Sequence, residues 1–145
     1  MIKIVVIGAG GRMGKTIVAC VDDTDGVSIT GGTEYSGHFS IGNDLGLLAG
    51  IGEKGVFVVE NIEDVLKDCD VIIDFTTPES TIKTLNAAVS YEKSIVIGTT
   101  GFSAEQKKII NQAAEKIRCV FAPNMSVGVN VLFKIAEDVS KALGD

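Results

Sequence analysis

The first fourteen residues restrict the fold of this chain more than any other segment. Residues 2–7, Ile-Lys-Ile-Val-Val-Ile, form a nearly unbroken apolar run, which predicts a strand buried on both faces. The run leads directly into Gly8-Ala9-Gly10-Gly11-Arg12-Met13-Gly14, and residues 15–21 carry apolar side chains at helical spacing. A helix that begins at a glycine turn directs free N–H groups and the positive end of its dipole at an anion. We therefore predict that this unit binds the diphosphate of a dinucleotide.

The spacing of the glycines differs from the common G-x-G-x-x-G pattern, whose third glycine would fall at Met13. The sequence fits G-x-x-G-x-x-G through Gly8, Gly11 and Gly14, with Gly10 in addition. Taken alone, such a loop could be a turn without function. The context favours a binding site, because Glu34 stands 20 residues after Gly14, at the end of a second predicted strand. A carboxylate at that place accepts hydrogen bonds from a ribose diol.

Composition restricts the class of protein further. The chain has 145 residues, 46% of them hydrophobic, enough for one domain with a proper core. The net charge is −6 and the 13 basic residues are scattered, so we expect no nucleic-acid partner and no membrane partner. No secretory signal pattern begins the sequence, so we expect a cytoplasmic location. The spacing of the three cysteines fits neither a metal site nor a disulfide, so Cys20, Cys69 and Cys119 are predicted to be small core residues. The isolated His38 is a poor candidate for a metal ligand.

The rest of the chain alternates predicted strands with predicted helices. The strands are expected at 27–34, 56–59, 71–73, 95–97 and 119–121. Three helices are expected to begin at capping residues, namely Asn61, Thr77 before Pro78, and Ser103 in a capping box. The residues expected on the buried faces of these helices are Ile62, Val65, Leu66, Ile82, Leu85, Ala88, Val89, Ile109, Ile110, Ala113, Ala114 and Ile117. A short helical turn is expected at 45–48. A last helix is expected at about 129–143, ended by Gly144 and with its apolar residues on one side: Leu132, Ile135, Ala136, Val139 and Leu143. This order predicts an α/β fold, a Rossmann-type doubly wound parallel sheet of about six strands with helices on both faces.

In such a sheet, ligands bind outside the carboxyl ends of the strands. The unusual segments all fall at those ends: the glycine loop, Glu34, and residues 75–77, 98–100 and 122–126. We therefore expect them to line one cleft. Asp74 is a candidate general base there, but a strand-end aspartate more often holds neighbouring loop N–H groups, which is the role we predict.

Two of these loops carry small and polar residues that could bind a ligand. Gly98-Thr99-Thr100 offers N–H groups and hydroxyls for a carboxamide or carboxylate, although a plain turn with capping threonines would look the same. Asn124 could bind a carboxamide, or it could serve ordinary turn chemistry. No catalytic set and no metal cluster is expected in this chain. A hydride carrier supplies its own reactivity, so none is required for cofactor binding.

Four motifs in this order resemble the dihydrodipicolinate reductase family, also called 4-hydroxy-tetrahydrodipicolinate reductase. They are GAGGRMG at 8–14, DFT at 74–76, VIGTTGF at 96–102 and NMSVGVNV at 124–131. The resemblance implies an enzyme of lysine and diaminopimelate synthesis that passes hydride from NADH or NADPH to a cyclic dicarboxylate. The resemblance also implies which residues bind the cofactor. The diphosphate would be held by Gly8, Ala9, Gly10, Gly11, Arg12 and Met13, and the adenosine ribose by Glu34. The nicotinamide would lie at Gly98, Thr99 and Thr100, with Thr100 near the substrate, and its pocket would be completed by Ala122, Pro123, Asn124 and Met125.

Two departures from the family pattern shape our expectations. Tyr35 follows Glu34 where some family members carry an arginine that pairs with the NADPH 2′-phosphate, so we expect a preference for NADH, with Arg12 the nearby cation that could preserve dual use. The family's substrate domain, which supplies the catalytic residues and builds a homotetramer, is absent from this sequence. Residues 1–126 are therefore expected to form the dinucleotide-binding domain and 127–145 a helix leading into the missing domain, and the fragment alone is expected to be inactive.

Two other functions use the same sheet and glycine loop. One is a regulatory domain that senses NAD(H) without chemistry, and GTTG together with the Asn-Met-Ser segment argues against it. The other is a different two-domain dehydrogenase that acts on a small molecule, and its catalytic residues would lie outside this sequence. Fold alone does not choose between them.

Overall fold

The computed structural model describes residues 1–144, in which six strands alternate with six helices. The strands are β1 (Ile2–Ile7), β2 (Val27–Thr33), β3 (Val58–Val59), β4 (Val71–Asp74), β5 (Ser94–Ile97) and β6 (Cys119–Phe121). The helices are α1 (Arg12–Asp22), α2 (Leu45–Ala49), α3 (Glu63–Leu66), α4 (Pro78–Ser90), α5 (Ala104–Ala114) and α6 (Val127–Leu143).

All six strands are parallel and lie in one sheet in the order β3-β2-β1-β4-β5-β6. The chain moves outward from β1 through β2 to β3 and then returns to β4, on the other side of β1. The direction of winding therefore reverses between β1 and β4, where doubly wound folds open a crevice for ligands. The predicted Rossmann-type architecture is confirmed.

The core has two parts, one on each face of the sheet. In β1, Ile4 and Val6 pack on one face, against α1 and α2, while Val5 and Ile7 pack on the other, against α4 and α5. This alternation follows from the two-residue period of a strand. Residues 4–7 of the predicted run are therefore covered on both faces of the sheet, as predicted, whereas Ile2 and Lys3 at the start of the strand are exposed.

Two of the three predicted helix caps are confirmed. Thr77 accepts a hydrogen bond from Ser80 N at the start of α4, with Pro78 as the first helical residue. Ser103 and Gln106 form the reciprocal bonds of a capping box at α5. The prediction for Asn61 is wrong, because its side chain caps nothing. The short helix α3 begins after Ile62, and backbone bonds alone close its first turn.

Several predicted burials also need correction. Ile109 and Ala114 of α5 are exposed, whereas Ile110 and Ala113 are the buried residues of this helix. Ile117 lies beyond the end of α5 and is half-buried. Cys20 lies on the exposed side of α1, although Cys69 is buried as predicted and Cys119 is half-buried.

The predicted third strand is shorter than expected. Only Val58 and Val59 join the ladder beside β2, because Phe57 forms an isolated antiparallel bridge with Asp44 instead. The segment at 35–57 is therefore a folded loop around α2 rather than an extension of the sheet.

Helix α6 differs from the others because none of its residues is buried. It begins two residues before the predicted start, where Ser126 accepts a hydrogen bond from Val129 N, and Gly144 ends it as predicted. Asp145, the end of the predicted last segment, lies outside the described residues. In residues 1–144 no helix is both long and apolar enough to cross a membrane.

Candidate functional site

The carboxyl ends of five strands form one row across the sheet. Thr33 pairs with Ile7, Ile7 with Asp74, Asp74 with Ile97, and Ile97 with Phe121. Four steps between neighbouring strands make the row roughly 19 Å long. The loops that follow these residues therefore all lie along one edge of the sheet, as the sequence predicts for the glycine loop, Glu34 and the segments at 75–77, 98–100 and 122–126.

The glycine loop brings a helix terminus close to the end of β1. A Cβ on Gly14 would overlap the carbonyl oxygen of Gly8 and lie 2.6 Å from Cα of Ala9, so only glycine permits this approach. Gly8 itself has a φ of +68°, which a glycine adopts without strain. Gly11 precedes α1 without a side-chain cap, and the amide of Lys15 donates to Gly11 O. The N–H groups of residues 12–14 precede that first bond, which leaves them free for an anion.

Glu34 is hydrogen-bonded to the glycine loop. Its Oε1 accepts from Gly10 N at 3.0 Å, and its Oε2 accepts from Tyr35 N at 3.3 Å. These two bonds hold the carboxylate beside the glycine loop. The sequence predicted the strand-end position of Glu34, but it gave no sign of the bond to Gly10.

Two clefts meet at Gly8. The larger, of about 640 Å³, lies between the Glu34–Tyr35 segment and the start of α4, and it includes Thr76, Thr77 and Lys83. The smaller, of about 440 Å³, lies between Phe75 and the residues that begin α1, namely Gly11, Arg12, Met13 and Gly14. Together they form a groove that passes over the end of β1 at the point where the sheet reverses.

Buried hydroxyl groups connect the ends of β4 and β5. Asp74 is fully buried, and its Oδ1 accepts from Thr76 N at 2.9 Å and from Thr76 Oγ1 at 2.6 Å. Thr99 Oγ1 lies 3.5 Å from the same oxygen and accepts from Thr81 Oγ1 at 2.9 Å. Asp74 therefore holds the neighbouring loop, as predicted. Its Oδ2 has no hydrogen-bond partner among residues 1–144.

This network separates the two threonines of the GTT segment. Thr99 is only 3% exposed, so its hydroxyl serves the Asp74 network and only its backbone remains for a ligand. Thr100 is exposed at the strand-end edge. Gly98 allows the Phe75 ring to lie against its backbone, because a Cβ there would overlap that ring. The segment thus presents backbone groups and one hydroxyl rather than two.

The loop after β6 lies at the far end of the row. The amide of Ala122 continues the ladder by donating to Ile97 O, and Pro123, Asn124 and Met125 are exposed. Asn124 Oδ1 accepts from Ser126 N at 2.8 Å, so this side chain has the turn role that was one of its two interpretations. Three strand spacings separate this loop from the glycine loop at the end of β1.

His38 is a residue that sequence reasoning missed at this edge. Its ring lies against Gly10, since a Cβ on that glycine would come within 2.8 Å of His38 Cε1 and would overlap Ser40 Oγ. The sequence offered one signal, that a lone histidine follows Glu34 by four residues. Among residues 1–144, no group of three or more His, Cys, Asp and Glu side chains could hold a metal ion.

A family model described as the N-terminus of dihydrodipicolinate reductase matches residues 2–125. The chain belongs to the dihydrodipicolinate reductase family. The matched range includes the glycine loop, Glu34, the GTT segment and the loop after β6 through Met125.

Two curated relatives in this family carry the name 4-hydroxy-tetrahydrodipicolinate reductase. The protein from Geotalea daltonii is 48% identical over 145 residues, which is 100% of this chain and 54% of the relative. The protein from Geobacter sulfurreducens is also 48% identical, with the same coverage of both chains. The chain therefore spans about half the length of the relatives that it matches.

Solved structures show the same fold. A dihydrodipicolinate reductase from Paenisporosarcina sp. TG-14, solved with bound dipicolinate, superposes with a TM-score of 0.74 at 24% identity, over 97% of this chain and 54% of the other. An oxidoreductase from Agrobacterium radiobacter, solved with NAD+, L-tartaric acid and magnesium, gives a TM-score of 0.63 at 15% identity, over 81% of this chain and 34% of the other. At these identities the likeness is one of fold.

Proposed function

We propose that this chain is the nucleotide-binding half of a 4-hydroxy-tetrahydrodipicolinate reductase, which passes hydride from NADH or NADPH to a cyclic dicarboxylate in lysine and diaminopimelate synthesis. The observation that carries the proposal is the row of strand ends. It brings the glycine loop, Glu34, the GTT segment and the loop after β6 to one edge of the sheet, in the order in which an extended dinucleotide would meet them.

The glycine loop fits the diphosphate. The uncapped start of α1 offers the amides of Arg12 and Met13, and the positive end of the helix dipole favours an anion there. Gly8, Ala9, Gly10 and Gly11 keep the backbone free of bulky side chains along the path of the diphosphate. The Arg12 side chain is exposed beside this path and can add charge to the site.

The larger cleft suits the adenosine. Glu34 lies at its wall and offers carboxylate oxygens to a ribose diol, while Tyr35 and the start of α4 leave space for a base. Because the carboxylate is already held by two backbone amides, its negative charge is fixed where a 2′-phosphate would come. With Tyr35 in place of an arginine, this favours NADH over NADPH.

The nicotinamide is assigned to the other side of Gly8. The backbone of Gly98 and Thr99, the Thr100 hydroxyl, and the segment Ala122, Pro123, Asn124 and Met125 supply groups for its carboxamide, with Thr100 nearest the substrate. When bound, the nicotinamide supplies the hydride. The residues of this chain hold and orient the nicotinamide. Asp74 helps to position the GTT segment, because its Oδ1 accepts from Thr99 Oγ1.

The remaining parts of the reaction are assigned to the rest of the protein. We propose that residues 1–126 form the nucleotide-binding domain and that α6 leads into a domain that binds the substrate, supplies the proton donor and builds a homotetramer. The apolar residues that α6 exposes support this arrangement, because such a stripe is normally covered. On this proposal the chain alone binds the nucleotide without turning over substrate.

Calorimetric titration with NADH and with NADPH tests the proposal. The expected result is saturable binding of both with tighter binding of NADH. Replacing Glu34 by Gln should weaken NADH binding about tenfold, the equivalent of ~1.4 kcal/mol from one hydrogen bond to a charged group. The same change should narrow the gap between the two nucleotides. No heat with either nucleotide would refute the proposed function, and tighter binding of NADPH would refute the preference.

Glu115→Gln is the matched control. Glu115 is an exposed acid that follows α5, near the opposite end of the sheet, where β6 begins. Its neutralisation changes the net charge by the same amount as Glu34→Gln, so both nucleotides should bind as in the wild type.

A further inference from the structure

The imidazole of His38 is held in one orientation by its own loop. Its Nδ1 accepts a hydrogen bond from Ser40 N at 3.2 Å. The Tyr35 ring meets it edge-on with centroids 4.9 Å apart, and the Phe39 ring lies on it at 4.5 Å. Backbone bonds from His38 N to Tyr35 O and from Ile41 N to His38 O fold the loop into a tight turn. The ring therefore has little freedom to turn away.

The bond at Nδ1 determines which nitrogen carries the proton. A nitrogen that accepts a backbone N–H is unprotonated, so the neutral ring carries its proton on Nε2. With Nδ1 accepting from Ser40 N, His38 therefore offers Nε2 as a hydrogen-bond donor.

His38 and Glu34 share two neighbours, Gly10 and Tyr35. The Glu34 carboxylate is held by the amides of Gly10 and Tyr35, and the His38 ring contacts the same two residues, Gly10 through Cε1 and Tyr35 through its ring. Nε2 is bonded to Cε1 and therefore lies next to Gly10 as well. The Ser40 hydroxyl also packs on Gly10, where it is fully buried and has no hydrogen-bond partner in residues 1–144.

We propose that His38 is a specificity-determining residue of the adenosine subsite, donating from Nε2 to the oxygen at the 2′ position of the ribose. The inference rests on the proposed function, because it deepens the nucleotide site named there. A 2′-hydroxyl both donates and accepts, so it can donate to Glu34 while it accepts from His38. A 2′-phosphate only accepts, so it is repelled by Glu34 and gains from His38. His38 would thus reduce the penalty that Glu34 sets against NADPH.

A pair of substitutions separates the two nitrogens. His38→Asn places an amide oxygen near the position of Nδ1, which keeps an acceptor for Ser40 N but removes the donor. His38→Gln places an amide nitrogen near the position of Nε2, which keeps the donor. The probes are 5′-AMP and adenosine 2′,5′-bisphosphate, titrated by calorimetry into each variant after equal thermal stability has been checked. These probes have no nicotinamide, so they report on the adenosine subsite alone.

We expect His38→Asn to weaken binding of the bisphosphate about fivefold and of 5′-AMP by less, because a bond to a charged acceptor is the stronger of the two. His38→Gln should restore most of the loss. Wild-type affinity in His38→Asn, or an equal loss in both variants, would overturn the inference while leaving the nucleotide site in place. A wild-type chain that binds neither probe would overturn the proposed function and the inference together.

The wild-type protein provides a second measurement that needs no variant. His38 is the only histidine among the 145 residues, so the proton NMR signal of its Cε1–H is assigned without ambiguity. Addition of the bisphosphate should move this signal in a saturable way and further than 5′-AMP does. A signal that stays in place at saturating bisphosphate would contradict the proposed contact.

Discussion

Gly14 lets α1 approach the end of β1 more closely than any other residue would permit. A side chain there meets the backbone of Gly8 and Ala9 rather than a flexible group, so nothing nearby can move aside cheaply. The consequence reaches the proposed diphosphate site, because the same close packing sets the distance between the loop and the free amides of α1.

Gly14→Ala should therefore lower the free energy of unfolding by about 1–3 kcal/mol, the usual range for overpacking, and should weaken NADH binding as well. Gly128→Ala is the matched control, since Gly128 also lies in a helix and a Cβ there would find only Ser126 Oγ, 3.9 Å away. Gly128→Ala should be as stable as the wild type or slightly more stable. Urea unfolding measures the free energy of unfolding of both variants, and equal values for Gly14→Ala and Gly128→Ala would contradict the packing argument.

The three cysteines should react at different rates with iodoacetamide. Burial raises the pKa of Cys69 to about 11, so its thiol stays protonated and covered near pH 8, whereas Cys20 is exposed. Cys119 is half-buried, and burial raises its pKa too. Peptide mapping by mass spectrometry should find Cys20 modified first. Labelling of Cys69 as fast as Cys20 would be inconsistent with this core, and denaturant should make all three react.

At the level of single residues, the sequence predicted positions better than contacts. Glu34 could be placed at a strand end because a strand pattern precedes it, yet its bond to Gly10 depends on how two loops meet. Cys20 fits an apolar helix pattern, but which side of α1 faces the core depends on the sheet. Thr99 and Thr100 look alike in sequence, and only the buried Asp74 next to them distinguishes one from the other.

The loop around α2 shows how a single carboxylate can hold an element of five residues. Asp44 begins the helix by accepting from Leu47 N at 3.0 Å, and it also accepts from Lys54 N and Gly55 N, the latter at 2.7 Å. Burial tends to raise the pKa of Asp44, but these backbone amides together outweigh it, so its pKa lies below the ordinary value.

A lowered pKa in the folded state gives Asp44 a stabilising role that depends on pH. The unfolded chain binds this proton more readily, so the stabilisation is complete above the ordinary value of about 4 and is lost as the pH falls through the folded value. Asp44→Asn should therefore lower the melting temperature near pH 7, and the gap to the wild type should narrow towards pH ~3.5. Thermal unfolding followed by circular dichroism measures this.

The control for the pH experiment is Asp25→Asn, which alters an exposed carboxyl group in the turn before β2. Its melting temperature should follow that of the wild type across the same range. A gap for Asp44→Asn that stays constant with pH would show that the cost comes from packing and not from the charge.

Elements with a strong period or a cap were predictable, and those held by distant amides were not. The helices α4 and α5 begin at Thr77 and Ser103 as their sequences indicate. The segment at 35–57 has no period in its sequence, and its structure depends instead on Asp44, which accepts from amides ten and eleven residues further along the chain. The strand predicted at 56–59 is shorter in the structure, because Phe57 forms an antiparallel bridge with Asp44 and does not pair with β2.

At the scale of the whole molecule, helix α6 is distinguished by apolar side chains that are exposed along its length. Leu132, Ile135 and Val139 are 62%, 53% and 49% exposed, although they lie on one side of the helix as the sequence predicted. The sequence period identified the stripe correctly. The period alone could not tell whether this stripe is covered, because burial of a helix face depends on tertiary contacts and not on the sequence of the helix.

Replacing Leu132, Ile135 and Val139 by Gln should leave the melting temperature unchanged, since none of these side chains is buried. It should also reduce self-association at high protein concentration, because exposed apolar stripes promote association. Sedimentation velocity measures the association. Lys134→Gln is the control, as this ammonium pairs with Asp138 at 3.0 Å on the surface of the same helix, and it should not reduce association. A large loss of stability in the triple variant would place the stripe within the core.

The row from Thr33 to Phe121 is held in register by backbone ladders, so the spacing of these strand ends does not depend on the side chains of the loops that follow them. A loop at this edge can therefore be exchanged while the strand ends keep their positions. Replacing residues 35–43 by a loop with an arginine directly after Glu34 should alter the choice between NADH and NADPH while the sheet keeps its register. Divergence in cofactor use within this architecture therefore requires no refolding of its scaffold.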